Sequence, residues 1–202
     1  MTSIESVTLE VPSLAPAEAF YAAAFGLGYK VRLRASQAPT TGFRGFALSL
    51  VVSQPGTVDS FIGTALAGGA KILKPATKGL WGYGGVVQDP YGAIWKVATS
   101  AKKDTGPASR EVDSFVLLLG VENVKAARQF YLDHGLAVGK SFGSKYVEFD
   151  TPGSSVKLAL YSRKAAAKDV GVDADGDGSH RIAIQGDAGD FTDPDDFAWE
   201  AA

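Results

Sequence analysis

The sequence predicts an α+β protein in which one arrangement of strand, helix and further strands is written twice. Three observations carry this. The run Asp89-Pro90-Tyr91-Gly92-Ala93-Ile94-Trp95 returns as Asp193-Pro194-Asp195-Asp196-Phe197-Ala198-Trp199, each a turn that leads into a short apolar strand with Trp in the same place. Phe20-Tyr21 returns as Phe130-Tyr131, and Ser6 in its opening strand returns as Ser114. Proline presets φ at such a turn and the aspartate can bond its own backbone, so Asp-Pro-x-(Gly/Asp) is hairpin chemistry. The offsets are 104, 110 and 108 residues, so the two copies carry different insertions. A duplication of this kind decides architecture before any single motif does.

In order, Ser3 to Val11 alternates as a strand. Ser13 stands at the cap of a helix with Pro16 in its first turn and Gly26 and Gly28 at its end. Tyr29 to Leu33 is a strand, and Ala35 to Gly42 a loop. Phe43 to Val52 is apolar enough for a central strand. Gln54-Pro55-Gly56-Thr57 opens a helix that continues from Val58 to Ala67 and stops at Gly68-Gly69. Strands follow at Lys71 to Lys74, Leu80 to Gln88 and Ala93 to Thr99. The stretch 101–110 is polar, holds Gly and Pro and lacks periodicity, which marks a linker. Beyond it come a strand from Val112 to Leu119, a helix capped by Asn123 and ending near His134, and strands Val138 to Phe142, Lys145 to Phe149 and Val156 to Tyr161. Arg163 to Lys168 is a short helix or turn, Val172 to Ser179 an acidic Gly-rich loop, and His180 to Gln185 a strand before the last Asp-Pro-Trp segment.

Composition narrows function. The 202 residues carry 20 Lys and Arg against 22 Asp and Glu, a net charge of −2, so no basic field points to nucleic acid or an anionic membrane. There is no cysteine, which removes disulfides, thiolate metal sites and Cys nucleophiles. Hydrophobic residues make up 46%, enough for a core, but no apolar run approaches a membrane span. The amino terminus shows no charged-then-apolar leader, so the expectation is a cytoplasmic protein.

Two further stretches, Gly68-Gly69-Ala70 and Trp81-Gly82-Tyr83-Gly84-Gly85, join the ordered set Phe20, Tyr21, Gly26, Leu27 and Phe130, Tyr131, Gly135, Leu136. In this each half resembles a domain of the vicinal oxygen chelate superfamily, the group of glyoxalases, bleomycin-resistance proteins and extradiol dioxygenases. The resemblance implies tandem glyoxalase-like domains, residues 1–100 and 111–202, built from βαβββ modules whose curled mixed sheets surround a cleft. The chain departs from that pattern at both ends. Too few residues lie between Leu33 and Phe43 for the hairpin of the first module, and only Gly186 to Thr192 stand where the last module's helix and two strands belong. The two middle modules, about Phe43 to Thr99 and Val112 to Tyr161, are whole. We therefore expect them to pair across the linker around one full cleft, leaving the trimmed outer pair a reduced one.

Enzymes of the superfamily hold a divalent metal with histidines and carboxylates. The resemblance puts Ser6, Ala47 (or Phe46) and Lys96 at those positions in the first half, and Ser114, Tyr161, His180 and Glu200 in the second. Only His180 and Glu200 are ligand types, and two donors do not hold a metal tightly without help. A strand histidine satisfied by hydrogen bonds is the plainer reading of His180. His134 suits the negative end of a helix dipole. Asp173-Ala174-Asp175-Gly176-Asp177-Gly178 imitates the start of a calcium loop, but its twelfth position is Ile184, and a solvated turn explains it.

The sequence therefore favours a metal-independent small-molecule-binding protein, with no cofactor, that holds an apolar or aromatic compound in a sheet cleft. Trp81, Tyr83, Phe43, Lys96, Ser114 and Tyr161 are the residues expected to line it. One alternative is a lyase, isomerase or dioxygenase with a divalent metal on His180 and Glu200. Another is an interaction module without a ligand. Expected partners are a small molecule, but neither nucleic acid nor membrane, and the doubled domain favours a monomer.

Overall fold

The structure is a computed structural model that describes residues 2–143 and 145–202. The first half runs β1 (Ile4–Val11), α1 (Leu14–Ala24), β2 (Val31–Ala35), β3 (Thr40–Gly42), β4 (Phe46–Val51), α2 (Pro55–Ala67), β5 (Lys71–Gly79), β6 (Gly82–Gln88) and β7 (Ile94–Thr99). The second runs β8 (Ser114–Val121), α3 (Val124–Asp133), β9 (Ala137–Phe142), β10 (Tyr146–Asp150), β11 (Lys157–Ser162), α4 (Arg163–Val170), β12 (Gly176–Gly178), β13 (Ile182–Gly186), β14 (Phe191–Thr192) and β15 (Ala198–Ala201).

The strands cross between the halves. One sheet has eight strands in the order β5-β6-β7-β4-β8-β11-β10-β9, and its two four-stranded parts join where β4 pairs antiparallel with β8. The other has five, β14-β15-β13-β1-β2, joined where β1 pairs antiparallel with β13. β3 and β12 form a separate two-stranded ladder.

Alternation along the strands sorts the large sheet into two faces. Phe46, Leu48, Leu50, Trp95, Val97, Phe115, Leu117 and Leu119 point into the main core, which α1, α2 and α3 close. Ala47, Val86 and Ile94 point the other way and meet Phe43, Ala166, Ala167 and Val170 in a second cluster beneath α4. Gly120 permits that approach. A Cβ there would stand 3.0 Å from the Ala166 methyl and 3.2 Å from the Arg163 Cα. Lysines on β5, at Lys71, Lys74 and Lys78, mark one outer edge of this sheet, a common guard against strand addition.

The recurring residues of the sequence meet inside the core. Tyr21 Oη donates to Asp89 Oδ2 at 2.7 Å and Trp95 Nε1 donates to the same oxygen at 2.9 Å. The other carboxylate oxygen accepts from the Tyr91 and Ala93 amides. In the second half Tyr131 Oη donates to Asp193 Oδ2, and Asp193 Oδ1 accepts from the Asp195 and Phe197 amides. Here the indole differs, with Trp199 Nε1 donating to Tyr131 Oη at 3.4 Å. Trp95 also stacks on Phe25 at 3.9 Å, and Trp199 on Phe191 at 5.2 Å.

The stretch 101–110 is tied down. Gln54, 3% exposed, accepts from the Thr105 and Gly106 amides and donates to the Gly106 and Pro107 carbonyls. The Arg110 guanidinium lies 3.9 Å from the Phe61 ring centre and donates to the Ala24 carbonyl at the end of α1.

Several boundaries differ from the sequence expectation. β13 starts at Ile182 rather than His180, because Arg181 adopts φ of 54° while its guanidinium bonds the Ala38 carbonyl. The loops expected at Ala35 to Gly42 and Val172 to Ser179 contain β3 and β12, which find each other across the chain. Ser13 occupies the N-cap of α1 but its side chain makes no capping bond, whereas Asn123 accepts from the Ala126 amide as expected. Leu80 lies in the β5–β6 turn, since β5 extends to Gly79.

Candidate functional site

α4 decides what the large sheet can offer. Its start is capped by Ser162, whose Oγ accepts from the Ala165 amide, and its end turns at Gly171, which takes the left-handed conformation open to glycine. Lys74 Nζ donates to the last carbonyls, those of Lys168 (2.8 Å) and Asp169 (2.6 Å), where a cation suits the helix dipole. Arg163 donates to the Ala174 and Phe43 carbonyls. Lys96 Nζ reaches Asp169 Oδ2 at 2.7 Å. The cation that β7 aims at this face is thus neutralised by an acid from the helix lying over it.

The sequence-predicted residues distribute unevenly around α4. Phe43 is 3% exposed and packs in the cluster under the helix, with the Arg163 guanidinium 5.4 Å from its ring. Lys96 and Tyr161 are half-buried on the same face, Tyr161 beside Asp169. Ser114 lies opposite Val51 and its buried hydroxyl has no hydrogen-bond partner among the described residues. Tyr83 belongs to the opposite side. It packs against the main core and its Oη donates to Asp59 Oδ1 of α2 at 2.7 Å. Trp81 stands with Leu80 at the tip of the β5–β6 hairpin, 87% exposed. Trp81→Ala is accordingly expected to change unfolding free energy by no more than about 0.5 kcal/mol in urea titration. A loss of several kcal/mol, the scale of a buried Trp, would place it in the core instead.

Outboard of α4 the large sheet stays open. Lys140, Phe142, Lys145, Tyr146, Glu148 and Tyr161 line a groove of about 490 Å³ across β9, β10 and β11. The strand register puts them side by side, with Tyr146 opposite both Tyr161 and Phe142. The Tyr146 and Tyr161 ring centres are 4.9 Å apart, and those of Tyr146 and Phe142 5.9 Å. Tyr146 Oη donates to Glu148 Oε2 at 2.8 Å. Burial, then the Glu148 bond, push the Tyr146 phenol well above its ordinary range, and burial together with nearby Asp169 raises Tyr161. Both hydroxyls are therefore neutral at physiological pH, and Tyr161 keeps its proton for a ligand, Tyr146 having given its own to Glu148. Phe142 is 69% exposed, a large apolar ring with one face in water. Only Tyr161 of this group was legible beforehand. A signal for the rest was the alternation Lys140, Phe142 and Tyr146, Glu148, which puts each pair on one face of its strand.

The donors required for a superfamily metal do not converge. His180 sits outside β13, stacks on Phe197 at 4.0 Å, and turns its two ring nitrogens to the Arg44 and Asp195 carbonyls. Glu200 lies on the small sheet, where Oε1 accepts from Arg34 Nη1 at 2.8 Å and Oε2 from Gln185 Nε2 at 3.1 Å. Gln185 in turn accepts from Ser6 Oγ, and Arg34 also reaches Glu10 at 3.4 Å. The face that would hold metal carries an arginine between two glutamates. Among the described residues no group of three or more His, Asp or Glu side chains could hold a metal ion. The residues present do not fit the group that the fold implies.

Solved structures with this arrangement are glyoxalases and their relatives. A proposed dioxygenase from Bacillus subtilis superposes with a TM-score of 0.64 at 13% identity, over 99% of this chain and 84% of that one. A single-residue variant of maize (Zea mays) glyoxalase I superposes with a TM-score of 0.61 at 15% identity, over 100% of this chain and 92% of that one. A second variant of the maize enzyme gives the same score over 99% and 93%. No protein-family profile and no curated protein matches the sequence. The chain thus has the α+β fold of the vicinal oxygen chelate superfamily. Among the described residues no helix is long and apolar enough to cross a membrane.

Proposed function

We propose that this is a glyoxalase-fold small-molecule-binding protein that works without the superfamily metal and holds an aromatic compound in the groove beside α4, in a sequestering, carrier or resistance role. The observation that carries this is the groove itself. Its volume is within the range of ligand sites, and it joins three aromatic rings to a few polar groups. The Tyr161 phenol supplies a donor, while Tyr146, whose proton goes to Glu148, offers its ring and an accepting oxygen. Lys140 and Lys145 at the rim suit a ligand with an acidic substituent, and neither pairs with a carboxylate among the described residues.

A thermal-shift screen of aromatic acids, run with and without chelator, tests the reading. A ligand at a hundred times its Kd stabilises by about 2.7 kcal/mol through mass action. Tyr161→Ala is expected to weaken the best compound roughly tenfold, the scale of a lost aromatic contact. Stabilisation by zinc, nickel, iron or manganese at one equivalent would overturn metal independence. The seating of α4 over the sheet centre favours a second reading, an interaction module without a ligand. A screen in which no aromatic compound shifts the protein would select it.

A further inference from the structure

A second cavity lies away from the groove and shares no residue with it. About 250 Å³ opens between α1 and β2, over Phe25 and Trp95, with Glu18, Ala22, Leu27, Val31 and Leu33 around it. The trimmed first module explains why it exists. β2 is the last strand on its side of the small sheet, so no hairpin continues beyond it. Val31 and Leu33 keep part of their apolar surface open, and Leu27 does the same below the end of α1. Ala22 is too small to cover the gap. The floor is rigid, since Phe25 and Trp95 stack at 3.9 Å and the indole is held by Asp89.

The polar groups around it are few. Tyr21 Oη is already given to Asp89. Glu18 is exposed at the rim, one helical turn before Ala22, and no cation stands within ion-pair distance of it among the described residues. An apolar cavity of this size takes a single or fused ring, and dry apolar cavities of about 150 Å³ already accept benzene. A carboxylate at the mouth selects the sign of whatever the ring carries.

We propose that this pocket binds a small aromatic amine, with the ring between Ala22, Leu27, Val31 and Leu33 and the ammonium at Glu18. The proposal stands apart from the groove reading. Its site is apolar with one acid, whereas the groove carries two lysines.

The test uses three probes that share one ring: phenethylamine, toluene and phenylacetate. Binding is followed in ¹H–¹⁵N spectra through the Trp95 indole N–H. Phenethylamine is expected to shift that signal and to bind about tenfold more tightly than phenylacetate, with toluene between. Glu18→Gln should bring phenethylamine to within a factor of about two of toluene, since one exposed ion pair is worth up to roughly fivefold. Ala22→Phe, at an exposed helix position, should abolish binding while the melting temperature stays near that of the parent. Tyr161→Ala should leave phenethylamine binding unchanged, which separates this site from the groove. No shift at Trp95 up to millimolar probe, equal binding of all three, or binding that survives Ala22→Phe would each overturn the proposal.

Discussion

Asp89→Asn is expected to destabilise the protein by about 3 kcal/mol in denaturant titration, and Asp193→Asn by clearly less. The difference follows from where each indole points. Asp89 receives four donors, two on each oxygen. An asparagine keeps one oxygen for the Tyr91 and Ala93 amides but turns an NH₂ toward Trp95 Nε1. Tyr21 can rotate its hydroxyl to accept, while the indole N–H cannot, and a buried donor left unpaired costs about 1–3 kcal/mol besides the bond lost. Trp199 instead gives its N–H to Tyr131, so an amide side chain in place of Asp193 meets only a hydroxyl that can adapt. Equal losses at both positions would contradict this account.

The same carboxyl carries a pH signature. Burial, the largest influence, raises the Asp89 pKa above the ordinary carboxyl value, although its four hydrogen bonds pull the other way. The folded protein therefore holds that proton more tightly than the unfolded chain does. Stability from this source is present below the unfolded value of about 3.9 and is lost as pH rises to the folded value. The stability gap between the parent and Asp89→Asn should be largest in acid and narrow through that window, then level off. A gap that widens with rising pH would reverse the sign.

Gln54→Ala should cost about 2 kcal/mol and make the chain sensitive to trypsin at Lys102 and Lys103. Gln54 serves three donors and two carbonyls of the 104–107 turn, at distances from 2.7 to 3.1 Å. Each such bond is worth roughly 0.5–1.5 kcal/mol net, and the exposed turn recovers part of that from water. Cleavage should quicken by more than about tenfold, because local opening needs only these bonds to break. An unchanged cleavage rate would show that Arg110 and Asp104, which bonds the Gly56 amide, hold the segment without Gln54.

How much of this could be read from the chain depends on the distance between the partners involved. Tyr21, Asp89 and Trp95 were visible as a recurring set, and their convergence needed only the fold. Pairing across the linker followed from which modules were whole, and β4 lies against β8. What escaped was whatever depended on distant, weakly patterned partners. α4 has eight residues, and its hold on the sheet rests on Lys74 and Lys96, some seventy to ninety-five positions earlier. No local periodicity announces that. His180 invites comparison with metal ligands by position, but Arg181 turns the chain just before β13 and delivers the imidazole to two carbonyls. The sequence expects Trp81 to line a cleft, and the glycines around it do leave rings uncovered. The β5–β6 turn instead carries the Trp81 ring out into water.

The union of β1 with β13 also sets an order of events during synthesis. Ser6 lies opposite Gln185, 179 positions later, so β1 must wait for β13 before that ladder can close. The eight-stranded sheet needs nothing beyond β11 and can assemble earlier. Contacts of such long separation slow folding and leave an apolar strand edge open in the meantime. A released chain ending just after α4 should accordingly protect β4 and β8 from hydrogen exchange while the β1 amides that face β13, rather than β2, still exchange freely.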